Sequence, residues 1–301
     1  MFYSFSIATA VDHKVIEEQF KDLFAWIKQR GYSLKIINDS QAKNNILSLC
    51  MEGETPSGVF RDEDVIYIFK HQLSEFLADH ILNYWEEKVV WKEILRRYKN
   101  CNPKDRQVVL KKTTELLKRC NSSESLNLLF NFGRKNKIAH RVLEYIDENN
   151  FVIVEGLITF YLPEYLNEVR FAVEMAYEEM RNEKEYNEFV RLLRYFVDTQ
   201  PPRTYEVNLM FDEKNGFTLW DGNGTRIEDN YINGFFDEDI LLEEVNLDDV
   251  LISILITIAP RWIIMHNTAD MVDTESVLMI KEVFKDRFKV CRGCERCCRP
   301  G

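Results

Sequence analysis

The stretch YEVNLMFDEKNGFTLWD, residues 205–221, decides the fold of the C-terminal part of the chain. Apolar and polar residues alternate in YEVNLMF and again in FTLWD, and such alternation is typical of a strand with one buried face. Asn215-Gly216 lies between the two segments and is a strong hairpin signal, because both residues tolerate the positive φ angles of a two-residue turn. The stretch therefore predicts a β-hairpin.

Periodicity beyond the hairpin predicts two helices and two further strands. In chain order these are a helix from about Leu247 to Ile258, the strand WIIMH (262–266), a helix from about Glu275 to Phe284 and the strand FKV (288–290). The order β-β-α-β-α-β predicts a mixed sheet whose helices cover at least one face.

Pro201-Pro202, just before the hairpin, marks the boundary between two predicted domains, because two consecutive prolines stop a helix. Residues 1–200 form the first domain, and residues 201–301 form the second, which ends in a Cys-rich tail. The first domain opens with a small α/β unit. This unit consists of the strand FYSFSIAT (2–9), a helix at about 15–29, and the strands LKIIND (34–39) and ILSLCME (46–52).

The middle of the chain is predicted to be largely helical. Its apolar residues recur at helical spacing, and the predicted segments are a long helix at about 64–100, a helix that begins at Asn102-Pro103, and shorter helical stretches at 126–132 and 138–146. His80 lies on the apolar side of the long helix, so we expect a buried, hydrogen-bonded histidine at that position.

A last helix of the first domain begins at Pro163, where a first-turn proline is tolerated, and runs towards Asp198. Its apolar residues lose helical phase between Met180 and Tyr186, so we expect a kink or a break there. Together the segments predict an α+β (α/β-like) fold. It has a small N-terminal α/β unit, a largely helical middle and a C-terminal domain with a mixed sheet.

Composition and charge narrow the class of protein. The net charge of −11 disfavours non-specific binding to nucleic acid or to anionic membranes, because both require a positive surface. The N-terminus lacks the basic start of a signal peptide, and the longest apolar run, 250–260, is shorter than the roughly 20 residues that cross a bilayer. We therefore expect a cytoplasmic protein without a membrane span or a disulfide framework.

A cluster of thiols at the C-terminus is the sharpest chemical signal. Four cysteines fall within eight residues, namely Cys291, Cys294, Cys297 and Cys298. A C-x-x-C turn presents two thiolates to one metal ion, and zinc or an iron-sulfur cluster takes about four such ligands. Adjacent Cys297 and Cys298 point their side chains apart, so Cys101, Cys120, a histidine or a second chain is expected to complete the site. Two alternatives to metal binding are that the thiols are redox-active, or that they lie in an exposed tail and bind nothing.

Two further features are candidate binding sites. His266 and Asn267 lie at the end of the WIIMH strand, and polar residues at the carboxyl ends of parallel strands often border a ligand pocket. The segment from residue 281 to residue 299 contains seven basic and three acidic residues, so this tail is a candidate for binding nucleic acid phosphates. The chain contains none of the common phosphate-binding, hydrolase or metalloprotease motifs, and no catalytic residue is predicted.

Five segments, in this order and spacing, resemble the YtxC-like family, which is described as a family of sporulation proteins of spore-forming Firmicutes. They are EGLITFYL (155–162), EFVRLLRYFV (188–197), YEVNLMF (205–211), ILITIAPRWIIMHN (254–267) and VFKDRFKVCRGC (283–294). The family pattern ends in C-x-G-C-x-x-C, which matches Cys291, Gly293, Cys294 and Cys297, whereas Cys298 is an addition. The resemblance implies a cytoplasmic role in endospore formation and brings no catalytic residues.

Three hypotheses for the function follow. The first is a non-enzymatic regulatory or assembly protein of sporulation, with protein partners and a metal-binding Cys cluster at its C-terminus. The second is a redox or metal-dependent enzyme with a site near His266. The third is a nucleic-acid-binding protein that uses the basic tail.

Overall fold

The structure is a computed structural model, and it describes residues 2–10, 20, 24–29, 31–41, 44–53, 61–118, 124–212, 216–227, 247–266 and 275–294. The chain divides into two compact units, Met1–Arg181 and Asn182–Gly301. No helix among these residues is both long enough and apolar enough to cross a membrane. The domain boundary expected at residues 200 and 201 stays a prediction.

The first unit contains a four-stranded sheet with the order β2-β3-β1-β4. Its elements are β1 (Phe2–Thr9), α1 (Ala25–Gln29), β2 (Tyr32–Gln41), β3 (Asn44–Gly53) and β4 (Phe151–Ile153). β1 pairs antiparallel with β3 and parallel with β4. Buried side chains such as Phe5, Ile7 and Leu49 form its inner face. The predicted small α/β unit is confirmed, although residues 15–19 and 21–23 of its predicted helix lie outside the described residues.

Helices make up the rest of the first unit, as predicted. They are α2 (Asp62–His80), a π-helical segment (Ile81–Trp85), α3 (Glu86–Arg97), α4 (Pro103–Lys118), α5 (Glu124–Glu148) and α6 (Val154–Tyr161). Asn102 caps α4, since its side-chain oxygen accepts a hydrogen bond from the Asp105 backbone N–H at 2.8 Å. The two short helices expected at 126–132 and 138–146 are in fact one continuous helix, α5.

His80 is buried, as expected, but the expected hydrogen bond is wrong. Neither ring nitrogen has a hydrogen-bond partner among the described residues. The ring instead stacks between two aromatic side chains, with its centroid 6.0 Å from that of Phe76 and 5.0 Å from that of Tyr84. Burial, with a smaller contribution from the Lys88 charge, lowers the pKa of His80 to about 4, so the ring is neutral in the folded protein.

A buried ion pair joins two helices of the first unit. Arg134 of α5 and Glu86 of α3 are 6% and 5% exposed, and an Nη2 to Oε2 distance of 2.5 Å separates them. Arg134 Nη1 also donates to the Leu117 carbonyl at 3.1 Å, and its Nε lies 2.6 Å from Glu168 Oε1. The guanidinium is thus held by an acid, a carbonyl and a second acid, which offsets the cost of burying its charge.

The last helix, α7 (Pro163–Thr199), begins at Pro163 as predicted and is unbroken. The break expected between Met180 and Tyr186 is therefore wrong. Val173 and Met180 belong to the core of the first unit, whereas Val190 and Val197 belong to the core of the second. Every side chain at 181–189 is exposed, so the apolar pattern loses its phase because no core-facing residue lies in that stretch.

The second unit contains the predicted mixed sheet, with the strand order β6-β5-β7-β8. Its elements are β5 (Glu206–Asp212), β6 (Gly216–Asp221), α8 (Leu247–Ile258), β7 (Trp262–His266), α9 (Glu275–Phe284), a 3-10 turn (Lys285–Arg287) and β8 (Phe288–Val290). β5 and β6 form the predicted antiparallel hairpin, while β7 pairs parallel with both β5 and β8. The hairpin turn itself, at 213–215, lies outside the described residues.

The two faces of this sheet differ in chemistry. Val207, Leu209 and Ile263 point to one face and pack in a hydrophobic core with residues of α8 and α9. Because successive side chains of a strand alternate between faces, the residues next to them point to the other face. Asn208 follows Val207, and His266 lies three residues after Ile263, so both side chains point to the other face. Both are buried although they are polar. Buried polar side chains require partners, and on this face the partners define a site.

Candidate metal centre

The ends of β7 and β8 bring together a histidine and two cysteines. Met265 of β7 pairs with Val290 of β8, and the Cys291 backbone N–H donates to the Met265 carbonyl at 2.8 Å. Cys291 is therefore held, by strand pairing, next to His266 at the end of the neighbouring strand. This placement follows from the parallel register of the two strands.

Gly293 lets the chain turn between the two cysteines. Its φ angle is +116°, a conformation that residues with a Cβ rarely adopt. No atom lies within 4 Å of where a Cβ would be, so the requirement for glycine comes from the backbone and not from crowding. The turn places Cys294 on the same side as Cys291 and His266.

The three ligand atoms have the spacing of a metal site. Cys294 Sγ lies 3.4 Å from His266 Nδ1, and the atoms that His266, Cys291 and Cys294 offer all lie within 4.8 Å of one another. With zinc bonds of about 2.3 Å to sulfur and about 2.0 Å to nitrogen, a tetrahedral ion sets its ligand atoms about 3.5 to 3.8 Å apart. The group therefore fits a tetrahedral ion with small movements of the side chains.

The chemistry of the donors also fits a metal. Thiolate sulfur and imidazole nitrogen are the ligands of zinc, and sulfur-rich sites also hold copper(I) and iron-sulfur clusters. His266 is 5% exposed, while both cysteines are half-buried, so the ion would sit at the edge of the unit with one buried ligand. Such a position allows an ion to enter from solvent.

Two buried side chains surround the His266 ring. Its Nε2 lies 2.8 Å from Asn208 Oδ1, and the Trp220 ring packs against it with centroids 5.4 Å apart and planes inclined by 34°. Asn208 and Trp220 face each other across the β5–β6 hairpin. A hydrogen bond on one nitrogen and an aromatic wall on the ring are common surroundings of a histidine ligand.

The basic residues of the C-terminal tail that lie near the thiols take different positions. The Lys289 ammonium lies 3.4 Å from the centre of the Trp262 ring, where it makes a cation–π contact. Arg292, between the two cysteines, is exposed. Arg296 and Arg299 lie outside the described residues.

The structure brings together only part of the predicted site residues. Cys291 and Cys294 lie together, and the side chain next to them is that of a histidine, His266, which is one of the four expected ways to complete the site. Cys297, Cys298, Asn267 and Cys120 lie outside the described residues. The ligand pocket expected at His266 and Asn267, and the ligand roles of Cys291, Cys294, Cys297 and Cys298, stay predictions.

A cavity of about 520 Å³ lies in the first unit, between α5 and the start of α7. Leu129, Ile138 and Leu162 contribute apolar walls, and Arg134 and Arg141 contribute positive charge. Arg141 is already paired with Glu144 and Glu164, and Arg134 with Glu86 and Glu168. Sequence reasoning did not identify this cavity, because its lining comes from residues far apart in periodic helices.

Comparison with known proteins gives one family and one relative. The model of the YtxC-like family matches residues 71–289, which include His266 and end just before Cys291. The chain is 25% identical over 262 residues to the uncharacterized protein YtxC of Bacillus subtilis (strain 168), covering 85% of this chain and 88% of that protein. No solved structure matches the chain.

Proposed function

The chain belongs to the YtxC-like family, and on that basis we propose that it is a regulatory or assembly protein of sporulation whose second unit is stabilised by a metal ion. The protein would act in the cytoplasm, through contacts with other proteins and not through catalysis. The observation that carries the proposal is the meeting of His266, Cys291 and Cys294 at the ends of two strands.

The position of these residues favours a structural role for the metal. β8 is an edge strand of only three residues, and its Lys289 and Val290 side chains are exposed. So short a strand at an edge has few contacts to keep it paired. An ion bound to His266 at the end of β7 and to Cys291 after β8 would cross-link the two strands, and the binding free energy would stabilise the fold.

Zinc is the proposed ion. Two thiolates and one imidazole make three of the four ligands of a tetrahedral structural site, and Cys297 or Cys298 is the proposed fourth. An iron-sulfur cluster is the alternative cofactor, and it would indicate redox work instead of a structural role.

Protein partners are proposed from the surface of the first unit. Leu128, Leu129 and Phe132 lie close together on α5 and are 68%, 67% and 62% exposed. Clustered, exposed apolar side chains mark surfaces that bind other proteins. Contact with a protein partner would also agree with the net charge of −11, which disfavours nucleic acid.

Elemental analysis of protein purified without oxygen tests the metal. We expect about one zinc per chain, lost in a variant with Cys291→Ser and Cys294→Ser and retained in the control Cys50→Ser. Iron with acid-labile sulfide would replace the structural role with a redox one. Absence of bound metal from the unmodified protein, after zinc has been supplied, would overturn the proposed centre.

A genetic experiment tests the biological role. Deleting the gene in a spore-forming host should lower the count of heat-resistant spores, and the unmodified gene should restore it. The gene for the double cysteine variant should restore fewer spores than that for Cys50→Ser. An unchanged spore count after deletion would contradict a role in sporulation.

A further inference from the structure

The face of the second sheet opposite its hydrophobic core carries a chain of polar side chains that ends at the proposed metal centre. Asn208 of β5 pairs with Trp220 of β6, and Met210 of β5 pairs with His266 of β7, so all four point to the same face. Asn208 is two residues before Met210 and reaches diagonally to the His266 ring. Both polar side chains are more than nine-tenths buried, at 7% and 5% exposure.

The orientation of the Asn208 amide is set by its other contacts. Its Nδ2 lies 3.1 Å from Glu206 Oε1 and 3.5 Å from the Asp221 carbonyl oxygen, and both of these groups only accept hydrogen bonds. A flipped amide would place its oxygen against these two acceptors. The nitrogen therefore faces Glu206 and Asp221, and the oxygen faces His266.

This orientation selects one tautomer of His266. Asn208 Oδ1 accepts only, so the ring nitrogen 2.8 Å away, Nε2, must carry the proton and donate. The lone pair of the neutral ring is then on Nδ1. Nδ1 is the atom that lies 3.4 Å from Cys294 Sγ and faces the metal position.

We propose that Asn208 is a positioning residue of the metal centre, which holds His266 in the tautomer and ring orientation that present Nδ1 as the ligand. Glu206 acts one step further out by fixing the Asn208 amide, and Trp220 limits rotation of the ring. The inference rests on the proposed metal-binding function. Partners of this kind in known metal sites change metal affinity by about 10- to 100-fold.

Titration with Co²⁺ tests the effect of Asn208 on metal affinity, because the thiolate charge-transfer and d–d absorption bands of bound Co²⁺ report its ligands directly. Displacement of the bound Co²⁺ by Zn²⁺ then gives the affinity for Zn²⁺. Asn208→Leu keeps the size of the side chain but leaves Nε2 without an acceptor. We expect it to bind Co²⁺ and Zn²⁺ about 10- to 100-fold more weakly than the unmodified protein. The matched control is Asn187→Leu, which changes an exposed amide of the same unit and should leave affinity unchanged.

A rescue variant separates positioning from mere packing. Combining Asn208→Asp with Glu206→Gln keeps the net charge and size but exchanges donor and acceptor, so that the new carboxylate still accepts from Nε2 while the new amide donates to it. Metal affinity should recover part of the loss and not all of it, because the Asp221 carbonyl oxygen, 3.5 Å from Asn208 Nδ2, loses its donor in this variant. Failure of this variant to bind better than Asn208→Leu, although folded, would argue against a hydrogen-bonding role.

The tautomer is read by long-range ¹H–¹⁵N correlation spectra of the metal-free protein, with the His266 signals identified by their absence from His266→Ala. We expect a proton on Nε2 in the unmodified protein and a mixture of tautomers in Asn208→Leu. A proton on Nδ1 of the unmodified protein overturns the inference. If Asn208→Leu binds metal as tightly as the unmodified protein does, the role of Asn208 is overturned and the proposed centre still stands. If the unmodified protein binds neither Co²⁺ nor Zn²⁺, the proposed centre is overturned as well.

Discussion

Cys294 Sγ lies 3.4 Å from His266 Nδ1, although the two residues are 28 positions apart in the chain. α9 and β8 occupy most of the intervening sequence, and the parallel pairing of β7 with β8 returns the chain to the same end of the sheet. Sulfur and imidazole nitrogen are both ligands that zinc takes, so the pair forms part of a group that could hold a metal ion. Among the described residues, this pair and Cys291 form the group that could hold a metal ion, and the group lies where β7 and β8 end.

Replacing Cys291 and Cys294 with Ser should remove the metal and lower the thermal stability of the second unit. At a free metal concentration of about 1,000 times the dissociation constant, bound metal stabilises by about 4 kcal/mol, and the variant loses this contribution. Calorimetry with and without a chelator measures it. Cys298→Ser should have a mild effect, because the regular two-residue spacing of Cys291, Cys294 and Cys297 favours Cys297 as the next ligand. Equal stability of the double variant and its parent, with no metal lost, would contradict the proposed centre.

Limited digestion with trypsin should cut the chain first after Arg203. Pro201, Pro202 and Arg203 are exposed, and sheet contacts begin only at Thr204, whose carbonyl accepts from the Arg261 backbone N–H at 2.9 Å. The proposed boundary at residues 200 and 201 thus has an accessible bond beside it. N-terminal sequencing of the fragments locates the cut. First cleavage at Lys184 would instead put the boundary inside α7.

Removing the charge of Arg134 should destabilise the first unit by about 3 to 5 kcal/mol. The variant Arg134→Leu leaves the Glu86 carboxylate buried without its partner, which is the costly outcome for a buried ion pair. Adding Glu86→Leu should recover more than half of that loss, since two apolar groups then replace two charges. Urea unfolding of the single and double variants measures both. A double variant no more stable than Arg134→Leu would show that the pair contributes through something other than charge.

Acid should destabilise the first unit through His80. Because burial lowers its pKa from 6.5 to about 4, the unfolded chain binds a proton in this range while the folded chain does not. Its contribution is fully present above about pH 6.5 and is lost as the pH falls towards 4, by up to about 3 kcal/mol. Unfolding free energies of the parent and of His80→Phe, measured from pH 7 to pH 4, should converge or cross as the pH falls. Parallel curves would be inconsistent with a neutral, buried His80.

Local patterns were sufficient for the elements of the second unit. Trp262–His266 and Glu275–Phe284 begin and end where alternation and helical period predict, because both patterns depend on neighbours a few residues away. The continuity of α5 was missed because Arg134 is polar and yet faces the core. Its partner Glu86 is 48 residues away, so no local pattern reveals that a charge is satisfied there.

The amino-acid sequence by itself determined the α+β class, the strands and helices of the second unit, and the spacing that lets Cys291 and Cys294 share an ion. Only the tertiary structure decided that His266 lies beside them and that Asn208 contacts its ring. The reason is that chelating spacing is a property of a short segment, whereas the meeting of β5, β7 and β8 depends on strand order and register. Two parallel strands joined through a helix place residues far apart in the chain at one edge, and that arrangement is created by packing on a common core.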